Sequence, residues 1–371
     1  MADRFARTAG GNWNSNSTWS TTSGGAADTV APVAADNVFL DANSGDVNIN
    51  TFVLGRSLDC NGYTGTLTHT SGQELRLGDA TGGTGNRVLR LVAGMTYVSN
   101  GAIFGFVSGS GTAQTIATAG QTLGRMNFNA TGTGGYTISG ANTCIGVVTL
   151  TDGVMLLNGQ ACSWLSFSSS NTATRTVTFT GATVTLTDTS ATTVWNMATS
   201  TNATLSVTNS TIVIAGATTN TRTFAGGGLT YSTLSYTESN SSGALVITGG
   251  NTFATLTVTD DTVGKTLTLP SGETTTISTA LNINGAAGRL NTLNSSTPGS
   301  PATISKTSGT VTVDYVTITD STATGGATFI AGANAVDGGG NNGWIFPGGG
   351  GGSGSTGSMQ HRGDLQNLQR L

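Results

Sequence analysis

Charge is scarce in this chain. Lysine occurs twice, at Lys265 and Lys306, twelve arginines are scattered over 371 residues, and charged residues make up 9% of the total, for a formal net charge of −4. No basic stripe exists to neutralise a phosphate backbone, so nucleic acid is not an expected partner. No apolar run is long enough to cross a bilayer, which excludes membrane insertion by a helix. The opening Met1-Ala2-Asp3-Arg4-Phe5 lacks the apolar stretch of a secretory signal, so the product is expected to stay in the cytosol unless it leaves by assembly or lysis. Cysteine is limited to Cys60, Cys144 and Cys162, an odd number without CxxC spacing. They read as small buried apolar residues, with no disulfide framework and no metal site. His69 is the only histidine before the C-terminal peptide. It has no nucleophile motif around it and is expected on the surface, so no catalytic triad and no cofactor are implied. Aromatic residues are few, and Trp164 and Trp195 each stand alone, as core or lateral contacts rather than sugar platforms.

What is abundant is glycine, 56 residues, and one recurring phrase. Two apolar residues flank a Thr or Ser and are followed by a polar pair: Val148/Leu150, Val184/Leu186, Leu205/Val207, Leu234/Tyr236, Leu256/Val258 and Val316/Ile318. Looser copies stand at Met126/Phe128, Leu165/Phe167 and Leu281/Ile283. From residue 130 to residue 320 the phrase endings leave eight steps over 190 residues, about 24 residues each. The alternation is that of a strand with one face buried, and β-branched Thr, Val and Ile favour it. A strand recurring at this interval, with Gly, Asn and Ser between copies, points to one solenoid turn per repeat. A β-sandwich also carries regularly spaced short strands, but a solenoid absorbs irregular steps as loops more easily. The expected fold is all-β, a parallel β-solenoid (β-helix) with a C-terminal tail. Leu58/Cys60, Leu89/Leu91 and Phe104/Phe106 extend the inward pairs toward the N-terminus, for about twelve irregular turns and a rod roughly 55 to 60 Å long at the usual strand spacing.

Four segments follow. Residues 1–46 read as an N-terminal cap or assembly segment, in which Trp13 and Trp19 need burial, as a cap or against another subunit. Residues 47–346 form the solenoid, closed by Trp344, Ile345 and Phe346 as a cap or an inter-subunit plug. Residues 347–358 are a Gly/Ser linker whose sharp onset has the look of an engineered join. Residues 359–371 are a separate peptide.

The stretch Gly10-Gly11-Asn12-Trp13-Asn14, then Thr18-Trp19-Ser20, then Asp36-Asn37-Val38-Phe39-Leu40-Asp41-Ala42-Asn43-Ser44 resembles the opening signature of tailed-phage and prophage virion proteins. Asn37 stands where that signature usually has a second Asp, and Leu40 where it usually has Phe. The far end, from Asp314-Tyr315-Val316 through Gly325-Gly326 and Ala331-Gly332-Ala333-Asn334 to Asn341-Asn342-Gly343-Trp344-Ile345-Phe346, resembles the closing turn of the same proteins. The resemblance implies a structural virion or appendage role, with copies of itself or other virion proteins as partners, and no catalysis. In the terminal peptide, Arg362-Gly363-Asp364 resembles the integrin-binding tripeptide. With Leu365 and Leu368 it makes the RGDLxxL form favoured by alpha-v integrins that recognise latent growth-factor precursors and some picornavirus capsids. Gly363 permits a tight turn, Asp364 offers a carboxylate to a receptor-bound divalent cation, and Arg362 reaches an acidic site.

The rival expectation is a tail protein that binds or depolymerises glycans, since hydrolysis on a β-helix needs two carboxylates at a fixed separation. Asp260-Asp261 is the only adjacent acidic pair. Asp152, Asp188, Asp260 and Asp320 recur at one place in the phrase and read first as turn residues accepting backbone N–H bonds at strand exits; stacked in register, they would instead offer calcium or a glycan an edge. Thr176-Val177-Thr178 and Thr266-Leu267-Thr268 raise ice binding, which requires strict register and is disfavoured by steps of 17 to 35 residues.

Overall fold

A computed structural model describes residues 2–190, 192–238, 241–259 and 262–347. Asp260 and Asp261 lie outside the described residues, as do the glycine run after Pro347 and the peptide with Arg362, Gly363, Asp364, Leu365 and Leu368.

The chain is all-β, with only two short 3-10 segments, Asn16–Thr18 and Thr84–Asn86. Thirty strands join in one sheet, beside smaller sheets of four and three. Pairing is parallel throughout except between Asp3–Ala6 and Trp19–Ser20. Most strands bond the strand one repeat earlier, the strand one repeat later, or both, an arrangement consistent with a β-solenoid. Parallel neighbours need a long crossover, and the chain between partners supplies it.

Alternation explains the local structure. In Thr183–Leu186 and Thr266–Leu269 the apolar residues are buried and the Thr residues between them are not, and in Thr211–Ile214 Val213 takes the outward place between buried Ile212 and Ile214. Stacking then builds interior columns. Cys162, Val184, Ile212, Leu234, Leu256 and Leu281 are successive register partners, and none is more than 6% exposed. A second column is aromatic: Phe167 stacks on Trp195 at 4.4 Å, and Trp195 on Phe224 at 5.9 Å with planes 8° apart. Burial of each such side chain stabilises by about 1.5–3 kcal/mol, repeated at every level. Corners are turned by residues that tolerate positive φ, among them Asn158, Asn202, Asn209 and Asp320.

The inward pairs Leu58/Cys60, Leu89/Leu91 and Phe104/Phe106 are all buried, and the three cysteines are free and buried. Desolvation pushes the thiols of Cys144 and Cys162 up to about 11 and about 12, and Cys60 higher still.

Several expectations need correction. His69 is fully buried, not a surface residue. It follows Leu67 by two in the strand Thr66–His69, so the same alternation turns it inward, against Phe104 and Tyr97. Leu165 is not the inward partner of Phe167: Cys162, Trp164 and Ser166 point in, and the burial alternation breaks where Ser166 and Phe167 are both buried. Leu205 and Val207 are only half-buried. The repeated phrases also do not stack on one another in order, for Leu205 pairs with Val177 while Val184 pairs with Ile212. A single coil contains several inward strands, and the phrase marks different ones.

Candidate functional site

The residues singled out for assembly fall toward the two ends of the described chain, Trp19 in the large sheet and Trp344 and Ile345 in the three-stranded one. At the N-terminal end, Asp3–Ala6 pairs in parallel with Asn37–Phe39, which pairs in parallel with Ser57–Asp59. The far side of Asp3–Ala6 is covered by the antiparallel strand Trp19–Ser20. Trp13 and Trp19 are buried and meet edge-on at 5.0 Å. Trp19 Nε1 donates to Trp13 O at 2.6 Å, so the two tryptophans bury each other within the chain.

The polar residues of the opening signature hold this end. Asp36 accepts from Ala2 N at 2.9 Å, Val33 N at 3.3 Å and Arg4 Nε at 3.3 Å, and Arg4 also pairs with Asp28. Asn37 uses both ends of its amide: Nδ2 donates to Asp3 Oδ1 at 2.8 Å, while Oδ1 accepts from Arg56 Nε at 2.8 Å and Ser57 Oγ at 3.0 Å. An ionised Asp at this position would have nothing to donate to Asp3 and would repel it. Leu40, the other departure from the signature, is fully buried.

The C-terminal end is different. Val336–Asp337 pairs with Val316–Ile318, and Trp344–Ile345 with Thr328–Ala331. Among the described residues each of these last two strands has one strand partner. Trp344 is buried, meeting Phe329 at 5.2 Å edge-on and donating from Nε1 to Ser321 Oγ at 3.1 Å. Phe346 is half-buried against the core. Ile345 and Val336 face outward, 53% and 44% exposed. Gly343 brings the chain in at φ +75°, where a Cβ would sit 2.1 Å from Ala323 O. Asp314 fastens the last two coils, accepting from Asn334 N and Asn334 Nδ2, both at 2.9 Å. The Asn334 side chain holds the Asp314 carboxyl below its ordinary range.

Of the repeated aspartates, Asp188 accepts from Ser190 N at 2.8 Å and Asp320 from Gly299 N at 2.8 Å, as turn residues do. Asp152 instead sits inside the long strand Asn142–Leu156, opposite Asn129. Among the described residues no group of three or more His, Cys, Asp or Glu comes together. Trp164 and Trp195 are both fully buried, which removes them as sugar platforms.

Three buried cations escaped the sequence reading, because nothing in alternation marks them. Arg175 spends its guanidinium on Ser169 Oγ, Asn171 Oδ1 and the carbonyls of Ala173, Thr199 and Thr201; desolvation lowers its pKa. Arg222 and Lys265 both lie against the Tyr236 ring, at 4.7 and 4.2 Å from its centroid. Lys265 Nζ also donates to Ser241 O at 2.8 Å. These contacts tie loops to the interior as cation–π and carbonyl clamps.

Comparison with known proteins finds no matching family, no matching curated protein and no matching solved structure.

Proposed function

We propose that residues 1–346 form a structural protein of a phage virion or appendage. In this reading the chain is a rigid β-solenoid rod of about twelve turns that associates with copies of itself or with other virion proteins. It carries an integrin-binding peptide on a Gly/Ser linker beyond its C-terminal end.

The observation that supports this best is the contrast between the ends. One is covered by Trp19–Ser20 and the buried tryptophan pair, whereas at the other, among the described residues, Val336–Asp337 and Trp344–Ile345 each have one strand partner and carry outward apolar side chains. Open edges of parallel sheet are templates for a further strand. In the sequence the peptide with Arg362, Gly363 and Asp364 follows that end.

Light scattering on a chain ended at Pro347 tests the assembly reading: a defined oligomer or a growing fibre supports it, and a stable monomer at all concentrations overturns it. The display reading has its own test. The full chain binds alpha-v integrin in magnesium or manganese, and Asp364→Ala loses that binding because the carboxylate to the receptor's cation is gone. Equal binding by both chains refutes it.

A further inference from the structure

The irregular steps that argue against an ordered threonine array do not survive folding. Ala161, Thr183, Thr211, Thr233, Thr255 and Ala280 are register partners on six neighbouring strands. Two residues further along, Ser163, Thr185, Val213, Ser235, Thr257 and Asn282 form a second row in the same register. Thr183 and Thr211 are 28 residues apart and Thr233 and Thr255 only 22, yet the two rows stay in register across the six strands, with one irregularity just outside them, between Phe253 and Thr255.

All twelve side chains are exposed or half-exposed. None is charged, and six are Thr. Among the described residues the one side-chain hydrogen bond that uses them runs from Asn282 Nδ2 to Thr257 Oγ1 at 3.1 Å. Parallel pairing sets the repeat of this hydroxyl-and-methyl net at about 4.8 Å across the strands and about 6.7 Å along them.

We propose that this face binds the surface of an ice crystal. The two repeats approach those of oxygen atoms on the prism faces of hexagonal ice. An array of short outward side chains, eight of the twelve bearing a hydroxyl, holds water in that pattern without the entropy cost of ordering long side chains. Two other occupants fit less well. Five strand spacings by the separation of the two rows give a strip of about 160 Å², far below the roughly 800 Å² per partner of a stable protein interface. A polysaccharide would stack its rings on exposed aromatics, and Trp164 and Trp195 are inside.

The full chain tests this. Ice grown slowly from a solution of fluorescently labelled protein takes up the protein, and single crystals in its presence show faceting and a gap between melting and freezing points. Thr255→Lys or Thr185→Lys, each placing a long charged side chain in the array, loses both effects. Thr204→Lys, on an exposed position of the separate strand Ala203–Ser206, keeps them. Circular dichroism confirms that each variant is folded. Exclusion of the folded parent from ice overturns the proposal, as does equal loss in Thr204→Lys. Retention on crystalline cellulose without uptake into ice replaces it with a polysaccharide site.

Discussion

At one end of the sheet Asp3–Ala6 is covered by an antiparallel strand and two mutually buried tryptophans; at the other, Val336–Asp337 and Trp344–Ile345 each keep one edge without a strand among the described residues. The regions behind these ends differ too. Every ion pair among the described residues lies between Arg4 and Arg90: Arg4 with Asp28 and Asp36, Arg76 with Glu74, and Arg87 and Arg90 with Asp59. The threonine-rich coils beyond are held by apolar columns, backbone ladders and the buried clamps of Arg175, Arg222 and Lys265. Stacked coils contact only their neighbours, so stability is local and the two ends can differ without compromising each other. Both ends use specific polar and aromatic residues, Trp13 and Trp19 with Asp36 and Asn37 at one and Trp344 with Asp314 and Asn334 at the other.

The largest effect expected from this contrast is at the sealed end. Trp19→Ala removes a fully buried side chain, the donor to Trp13 O and the edge-on partner of Trp13. It should destabilise by about 3–5 kcal/mol, the usual cost of a buried aromatic. Trp344→Ala, at the open end and 8% exposed, should cost less, about 1–3 kcal/mol. Urea unfolding of both variants checks the order; equal losses would erase the distinction between the ends.

The second effect separates the regions by pH. Burial lowers the pKa of His69 to about 4, and its Nδ1 lies 3.1 Å from Tyr97 Oη. Above its ordinary value near 6.5 the ring is neutral in both folded and unfolded chains, and costs nothing. Between about 6.5 and 4 the unfolded chain takes up a proton that the folded chain refuses, so stability falls with falling pH, by an amount of the order of 3 kcal/mol. Protection of the amides around Thr66–His69 and Thr96–Val98, normalised to the intrinsic exchange rate at each pH, should therefore fall at pH 4.5 relative to pH 7, while protection in Thr252–Val258 changes less. His69→Phe should remove the difference. Acid sensitivity spread evenly along the chain would count against it.

Much of this was legible in the residues. Alternation in the phrases at Val184, Leu234, Leu256 and Val316 marked true inward strands, and the pairs at Leu58, Leu89 and Phe104 extended them correctly. What failed was the assumption that each phrase marks one coil. Val177 and Val184 both point inward only seven residues apart, on successive strands, because a coil has several sides and alternation does not say which. His69 was misjudged by residue type although its parity with Leu67 was plain. At the ends, the need of Trp13 and Trp19 for burial was readable, but the antiparallel strand that satisfies it was not, since a two-residue strand carries no periodicity. Register across 28-residue and 22-residue steps is a long-range property that spacing along the chain misrepresents.

The smallest effect on stability is expected where the comparison has most to say about function. Ile345 is 53% exposed in the strand Trp344–Ile345, which has one strand partner among the described residues. Replacing it by Asp deletes no buried contact, so stability should change by no more than about 0.5 kcal/mol. If the open edge is where copies meet, however, a charge there would have to be desolvated in the contact, and charges on edge strands block pairing for that reason. Light scattering at rising concentration should then show Ile345→Asp smaller than the parent, while an equivalent charge at the sealed end, Val30→Asp, leaves the size unchanged. Val30 is 44% exposed and stands outside the covering strand, so it controls for added charge alone. The reverse outcome, with Val30→Asp dissociating the assembly and Ile345→Asp inert, would move the contact to the end the tryptophans close and make their burial a base for assembly rather than a stop to it.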